Sequence, residues 1–320
     1  MKLVLTGGSG HVGRLLAREL SSRGHHVVVL GRRPVEVPGA TWVHWDGRSA
    51  GPWWGEVDGA DAVVNLAGRS VGCRYTEANL PEMMDSRVDS TRAVGQAIAR
   101  AVRPPRVWLQ MSTATIYAHR FDRANDEATG VLGGAEPGVP AYWKYSVDIA
   151  RNWEAEAENA DTPRTRRVLL RTAMVMSPGS GGVFHALRWL VRLGVGGAVA
   201  GGRQYVSWIH GQDFVHAVEF LLEHEAISGP VNLAAPRPLP QREFMRGLRH
   251  AMGVPLGVPS TRWLAEVGAF VRRADTELLL KSRRVVPGRL LEAGFGFRYP
   301  DWDTAARELV RARVPAPGPG

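Results

Sequence analysis

Residues 4–20 read VLTGGSGHVGRLLAREL: an apolar run, a glycine-rich turn and a helical pattern in immediate succession. Gly7, Gly10 and Gly13 fall at G-x-x-G-x-x-G spacing between the two elements. Glycines at such a junction permit a tight turn, let backbone amides approach a pyrophosphate and allow the helix to pack closely on the strand, while the helix N-terminus faces the anion. A turn that merely joins two elements has a similar composition, but here strand, turn and helix stand in the order a phosphate site requires. Gly7, Ser9, Gly10, His11, Val12 and Gly13 are therefore the expected contacts of a dinucleotide.

Outward from this turn, short β-rich runs alternate with helical patterns. Strands are expected at Lys2–Thr6, His26–Leu30, Thr41–Trp45, Ala62–Leu66, Arg106–Met111 and Arg167–Leu170. Helices are expected over Val12–Arg23, where Val12, Leu15, Leu16 and Leu20 share a face, and over Leu80–Ala101. Right-handed crossovers between such units give an α/β fold, a Rossmann-type doubly wound parallel sheet.

After Ser177-Pro178 the alternation breaks down. FHALRWLVRLG reads as an amphipathic helix, GGRQYVSWIHGQD as a strand leading into a helix over Phe214–Glu223, and the rest as proline-punctuated short segments. The expected division is a dinucleotide-binding Rossmann domain over residues 1–177 plus about 205–225, with a smaller C-terminal α/β cap over 178–204 and 226–313. The tail VPAPGPG, residues 314–320, is expected to be disordered.

Composition narrows the function. A chain of 320 residues with 44% hydrophobic and 22% charged side chains is expected to be an ordinary globular protein. The first residues enter a strand pattern without a signal-peptide pattern, and no apolar run is long enough to span a membrane. The one cysteine, Cys73, forms no intramolecular disulfide and has no partner at metal-ligand spacing, which excludes a thiolate zinc site and fits a reducing cytoplasm. Histidines and carboxylates likewise show no metal-ligand spacing, so no metal is expected. The net charge is +9 and the pI near 10.4, but arginines are scattered rather than gathered into a basic run with aromatics, so no nucleic-acid partner is expected. The expected partner is a small-molecule substrate, with a homodimer possible.

The second strand ends in Leu30-Gly31-Arg32-Arg33. A carboxylate there would bind the ribose 2′-hydroxyl of NAD; two guanidiniums favour the 2′-phosphate of NADP. Solvated surface arginines are the alternative. The next strands end in HWDG and NLAG, where Asp46 is placed to accept from an adenine amino group and Leu66, Ala67 and Gly68 to let backbone approach the adenosine. Asp-Gly is also a frequent turn pair.

TGGSGHVG, NLAG and STATIY together resemble the extended and atypical short-chain dehydrogenase/reductase superfamily, also labelled NAD-dependent epimerase/dehydratase. DSRVDSTRAV, NWEAEA, LLRTAMVMSPGSGG, SWIHGQD, SGPVNLAAPRP, REFMRGL and GRLLEAGFGFRYPDW are similar to a branch of sugar-epimerase-like oxidoreductases that ends in a short C-terminal domain of unknown function. The resemblance runs from Met1 to about Arg311. It implies a Ser/Thr hydroxyl at the end of the fifth strand, a tyrosine that transfers a proton, and a lysine four residues later that lowers the tyrosine pKa from its usual ~10.

Thr113 matches the Ser/Thr position, with Ser112 beside it. The helix segment reads AYWKYS, residues 141–146: Tyr142, Tyr145 and Lys144 are the candidate acid–base residues, but four residues after Tyr142 stands Ser146 and four after Tyr145 stands Ile149. In a regular helix Lys144 lies about 200° round from Tyr142 and about 100° from Tyr145, so it backs neither phenol well. Pro140 allows an irregular stretch over 141–145 that would bring Lys144 to the nicotinamide ribose; an i,i+4 bridge to Asp148 is the alternative. Tyr117 is a third candidate acid.

Residues 122–140, DRANDEATGVLGGAEPGVP, form a long loop of the kind that lies beside the nicotinamide and covers substrate. Arg87 is expected either to anchor substrate or pyrophosphate or to form a surface salt bridge. RQYVSWIHGQD is expected to border the cap, with Tyr205, Trp208 and His210 candidates to line a pocket, although a buried structural role is the stronger expectation for Trp208 and His210, and the tryptophans at 42, 45, 53 and 54 are expected to pack near the adenine edge of the sheet.

Overall fold

The computed structural model describes residues 1–70, 73, 76–140, 143–179, 181–259 and 277–312. In chain order the elements are β1 (Lys2–Thr6), α1 (His11–Ser22), β2 (His26–Gly31), β3 (Ala40–His44), α2 (Trp54–Val57), β4 (Ala62–Asn65), α3 (Asn79–Arg100) and β5 (Val107–Thr113). A single 3₁₀ turn, Ala114–Ile116, follows β5. The chain continues through α4 (Trp143–Glu158), β6 (Arg166–Thr172), β7 (Met174–Met176), α5 (Val183–Arg192), β8 (Tyr205–Val206), β9 (Trp208–His210), α6 (Gly211–Glu223), β10 (Gly229–Leu233) and β11 (Leu239–Pro240). Helices α7 (Gln241–Ala251), α8 (Glu277–Leu280), α9 (Gly288–Glu292) and α10 (Trp302–Arg311) complete it.

The main sheet has seven parallel strands in the order β10-β6-β5-β4-β1-β2-β3. Its central strands are apolar on both sides, as strands covered by helices must be: Leu3, Val4 and Leu5 of β1 and Val27 to Leu30 of β2 are all buried. Leu3 pairs with Val27 on one side and Ala62 on the other, which fixes β1 between β2 and β4. Strand order reverses at β1, and in open sheets of this kind the ligand crevice opens there, beyond the carboxyl ends of the strands.

One face of the sheet is covered by α1 and α6, which bury Leu16, Leu20, Phe214, Val218 and Leu221 against it. On the other, Val94 and Ile98 of α3 pack with Trp108 and the pair Trp45 and Trp53, whose rings lie 4.8 Å apart. Both indole N–H groups of that pair donate to the carbonyl of Ser49, at 3.1 and 2.9 Å.

Two parts depart from the sequence reading. Residues 229–233, assigned there to the cap, form the seventh strand of the sheet, with Gly229 paired to Val168 and Leu233 to Thr172. Pro230 obscures this strand; an edge position tolerates it because one side of the strand needs no ladder. The expected strand through YVSWIH is two short strands broken at Ser207, whose hydroxyl donates to the Arg283 carbonyl at 2.7 Å and accepts from Val285 N at 2.8 Å.

The smaller C-terminal unit has its own core, in which Trp302 stacks on Phe244 at 3.9 Å and donates its indole N–H to the Phe244 carbonyl. Trp208 and His210 are buried against this core, as expected. No helix among the described residues is long and apolar enough to cross a membrane.

Candidate functional site

The phosphate loop occupies the crevice between β1 and β4. Gly7 has φ +68°, and a Cβ on it would stand 2.7 Å from Cα and N of Ala67, so the two loops meet backbone to backbone. A Cβ on Gly13 would lie 2.5 Å from Cα of Gly8, which is the close helix–strand packing the third glycine permits. Gly10 caps α1 in an extended conformation with no side-chain cap, and a Cβ there would meet only the Gly7 carbonyl, at 3.5 Å. The first-turn amides thus face an open cradle with no side chain of the cap competing for them, which fits a pyrophosphate. His11, at the first position of α1, hydrogen-bonds Ser177 of the loop after β7 at 2.6 Å and joins that loop to the cradle.

Arg32 and Arg33 are exposed immediately beyond β2, and neither has an ion-pair partner among the described residues. Ser9 reaches the same corner, its Oγ lying 3.5 Å from the Cβ position of Gly31. Asp46 closes a turn: its Oδ1 accepts from the amides of Arg48 and Ser49 at 2.9 and 2.8 Å. Burial opposes its ionisation, but the hydrogen bonds of Ser49 and Arg48 outweigh it and hold the carboxyl down at about 2.

Asn65, not singled out in the sequence, organises the NLAG turn. It is fully buried, accepts from the Thr6 hydroxyl at 2.5 Å and the Ala67 amide at 3.0 Å, and donates to Gln110 at 2.9 Å. Gly68 lies against Arg87, which the fold places inside the protein rather than at its surface. Arg87 is buried, donates to the carbonyls of Met83 and Arg69 and sits 4.9 Å over the ring of Trp153.

At the end of β5 the candidates separate. Ser112 points into the protein and donates to Glu154 at 2.6 Å. Glu154 holds Arg171 through two hydrogen bonds of 2.9 and 2.8 Å, Arg171 donates to the Tyr117 hydroxyl, and that hydroxyl donates to Asn232. Burial raises the Tyr117 pKa against the opposing charge of Arg171, and its hydrogen bonds to Arg171 and Asn232 tie this phenol into the buried network. Thr113, one residue on, is half-buried on the opposite side of the strand. Its Oγ accepts from the Thr115 amide at 3.2 Å, and its hydroxyl hydrogen has no acceptor among the described residues.

Helix α4 begins at Trp143, whose amide donates to the Pro140 carbonyl, so Lys144 and Tyr145 lie in regular helix rather than in an irregular stretch. Lys144 is 61% exposed and bridges to Asp148 at 2.6 Å, the alternative its spacing offered. Tyr145 is partly exposed on the same turn, and Tyr142 lies outside the described residues.

Over the end of β5 comes a second group that the sequence reading missed. Lys281 donates to the Thr115 carbonyl at 2.9 Å and Arg283 to the Thr115 hydroxyl at 3.1 Å. The 122–140 loop joins them: Asn125 exchanges backbone hydrogen bonds with Arg284 and Val286, and Glu136 accepts from the His119 amide at 2.6 Å. Among the described residues no group of His, Cys, Asp and Glu is arranged to hold a metal ion.

Comparison with known proteins extends this geometry. Residues 3–234 match the model of the NAD dependent epimerase/dehydratase family, and residues 262–309 match a domain of unknown function, DUF1731. Epimerase family protein SDR39U1 of Bos taurus is 30% identical over 314 residues, covering 97% of this chain and all of that protein (100%). Epimerase family protein YfhF of Bacillus subtilis (strain 168) is 28% identical over 318 residues, covering 98% of this chain and 99% of its own. The crystal structure of human epimerase family protein SDR39U1 (isoform 2) with NADPH superposes with a TM-score of 0.82 at 27% identity, over 97% of this chain and 99% of that one.

Proposed function

The chain belongs to the NAD dependent epimerase/dehydratase family, and from that premise we propose that it is an NADP(H)-dependent oxidoreductase or epimerase acting on a carbonyl or alcohol carbon of a small polar or secondary-metabolite substrate. The observation that carries the cofactor choice is the pair Arg32 and Arg33, exposed at the end of β2 beside Ser9 and without a carboxylate partner among the described residues. Two guanidiniums match a 2′-phosphate, and among the described residues no carboxylate competes for them. The human relative crystallised with NADPH supports the same choice.

When bound, the nicotinamide supplies or takes a hydride at C4. The chain's own residues bind and orient. Gly7 to Gly13 offer their amides to the pyrophosphate; Asp46, Leu66, Ala67 and Gly68 border the adenosine. The Thr113 hydroxyl accepts from the Thr115 amide, which turns its hydrogen outward to a substrate oxygen. Tyr142 or Tyr145 gives or takes the proton that balances hydride transfer. Reduction and reoxidation within one binding event yield net epimerisation or dehydration.

Titration with NADPH and with NADH, read by energy transfer from the 11 tryptophans, tests this. Expected is tight binding selective for NADPH. Arg32→Ala/Arg33→Ala should weaken NADPH at least tenfold, about 1.4 kcal/mol, and leave NADH nearly unchanged. Equal losses for both nucleotides would sink the 2′-phosphate assignment. Binding of neither would overturn the redox reading in favour of non-redox cyclase or isomerase chemistry or a binding role.

A further inference from the structure

Among the described residues eleven large apolar side chains are exposed, and five of them gather on one face of the C-terminal unit. Trp189 and Leu193 lie one turn apart at the outer end of α5, and Val195 follows them. Leu256 and Val258, 79% and 63% exposed, stand between Pro255 and Pro259 on the segment after α7. The two segments are fastened to each other. The Val258 amide donates to the Gly194 carbonyl at 2.8 Å and Arg249 to the Gly196 carbonyl at 2.7 Å. A Cβ on Gly197 would stand 2.3 Å from the Val258 carbonyl oxygen, so the backbones are in direct contact and the patch is one fixed surface.

Charge on this face has one sign. A depression of about 440 Å³ beside the apolar residues is lined by Arg242, Arg246 and Arg249 of α7, and Glu243 is the one carboxylate among its lining residues. Glu243 lies 3.9 Å from Arg242, Arg246 has no ion pair among the described residues, and Arg249 is held by a carbonyl rather than a carboxylate. From Val183 to Gln212, and again from Phe244 to Pro259, the sequence has no aspartate or glutamate, while Arg188 and Arg192 add positive charge on α5. Arginine alone would mean little in a chain with 40 basic residues. Here it adjoins exposed aliphatic surface with almost no acid to balance it, and apolar patches with such rims mark docking sites.

We propose that this face docks on a bilayer carrying anionic phospholipids. Leu193, Val195, Leu256 and Val258 enter the boundary between headgroups and acyl chains, and the arginines of the depression take lipid phosphates, which their forks match bidentately. The chain then lies on the membrane without spanning it, in keeping with its described helices. Charge decides between occupants. A second copy docked about a two-fold axis would set the same arginines against one another. A nucleic acid would pair with the arginines and stack on aromatic rings, but it offers nothing to four exposed aliphatic side chains. A bilayer satisfies both halves of the face at once. The proposal stands independently of the reaction assigned above.

The test is co-sedimentation of the full chain with vesicles of phosphatidylcholine alone and of phosphatidylcholine with about one third phosphatidylglycerol. Expected is binding to the anionic vesicles that falls with added salt and is at least tenfold weaker on the neutral ones. Each basic residue at such a surface strengthens binding about fivefold, so Arg242→Glu/Arg246→Glu should weaken it more than tenfold. Leu256→Asp/Val258→Asp should weaken it about tenfold. Arg18→Glu/Arg106→Glu, the same change of net charge elsewhere, should weaken it far less. No binding to the anionic vesicles, or equal losses in the two charge reversals, would overturn the proposal. So would a dimer in lipid-free sedimentation that Leu256→Asp/Val258→Asp dissociates, since the face would then belong to a second copy. Circular dichroism checks each variant. Should one fail to fold, a polarity-sensitive fluorophore on Leu256→Cys in the Cys73→Ser chain decides: its emission shifts to the blue on anionic vesicles, and an unshifted emission overturns.

Discussion

Gly7 and Ala67 meet with no room for a single methyl group between them: the Cβ that Gly7 lacks would stand 2.7 Å from the Ala67 backbone. The contact closes the crevice between β1 and β4 on its inner side and leaves the α1 amides facing outward. Two sequence features meet here, the glycine turn and the small residue of NLAG, and neither works without the other.

Gly7→Ala should therefore push the two loops apart and remove NADPH binding. A side chain at φ +68° costs about 1–2 kcal/mol and overpacking about 1–3 more. Gly24 is the control, with φ +84° and no atom within 4 Å of its Cβ position. Gly24→Ala should lower Tm only by the backbone share and leave NADPH affinity intact. Equal effects of the two variants on nucleotide affinity would mean that the Gly7–Ala67 contact does not shape the cradle.

The glycine loop and the first six strands, β1 to β6, were legible in the sequence because their causes are local: turn chemistry, an apolar run, a helical period. Strand β10 was not, because Pro230 interrupts the signal in an edge strand that has only one partner to satisfy. Lys144 was legible as an ion pair, since i,i+4 geometry is a local rule. The network of Ser112, Glu154, Arg171, Tyr117 and Asn232 was illegible as a network, its hydrogen bonds joining positions up to 115 residues apart. One signal was nevertheless present. Trp143, Ser146, Val147, Ala150, Trp153, Glu154 and Ala157 form the buried stripe of α4, so Glu154 is a carboxylate on an otherwise inward face. Lys281 and Glu277 offered only their i,i+4 spacing; what they touch is set by the fold.

Removing one half of the Glu154–Arg171 pair should be far worse than removing both. The two side chains are 8% and 9% exposed and joined bidentately. Glu154→Gln leaves the Arg171 guanidinium buried without its counter-charge, a loss of about 3–5 kcal/mol. Glu154→Leu/Arg171→Met removes both charges and should cost distinctly less. Tyr117→Phe deletes only a neutral hydroxyl and should cost about 1–3 kcal/mol, since Asn232 and Arg171 each lose a partner. Urea unfolding at pH 7 checks the order. A double variant as unstable as Glu154→Gln would show that the pair matters for its shape rather than for its charge balance.

Acid should weaken the fold from near neutrality, and His210 should carry part of the effect. Its Nδ1 accepts from the Gln212 amide at 3.1 Å, capping α6, which leaves Nε2–H to donate to Glu308 at 2.8 Å. That arrangement uses the neutral ring. Burial lowers the His210 pKa, with Glu308 opposing, and burial also lowers those of His25 and His119. An unfolded histidine titrates near ~6.5, so between that value and the folded value the unfolded chain binds more protons. Stability from these groups is therefore fully present above pH ~6.5 and is lost as pH falls through the lower folded values. Tm should decline from pH 7 to pH 5. His210→Asn keeps a capping side chain but cannot titrate; it should be less stable than the unaltered chain at pH 7, with a shallower slope towards pH 5, so that the two curves converge. Parallel curves would assign the acid sensitivity to His25 and His119 and leave His210 with packing alone.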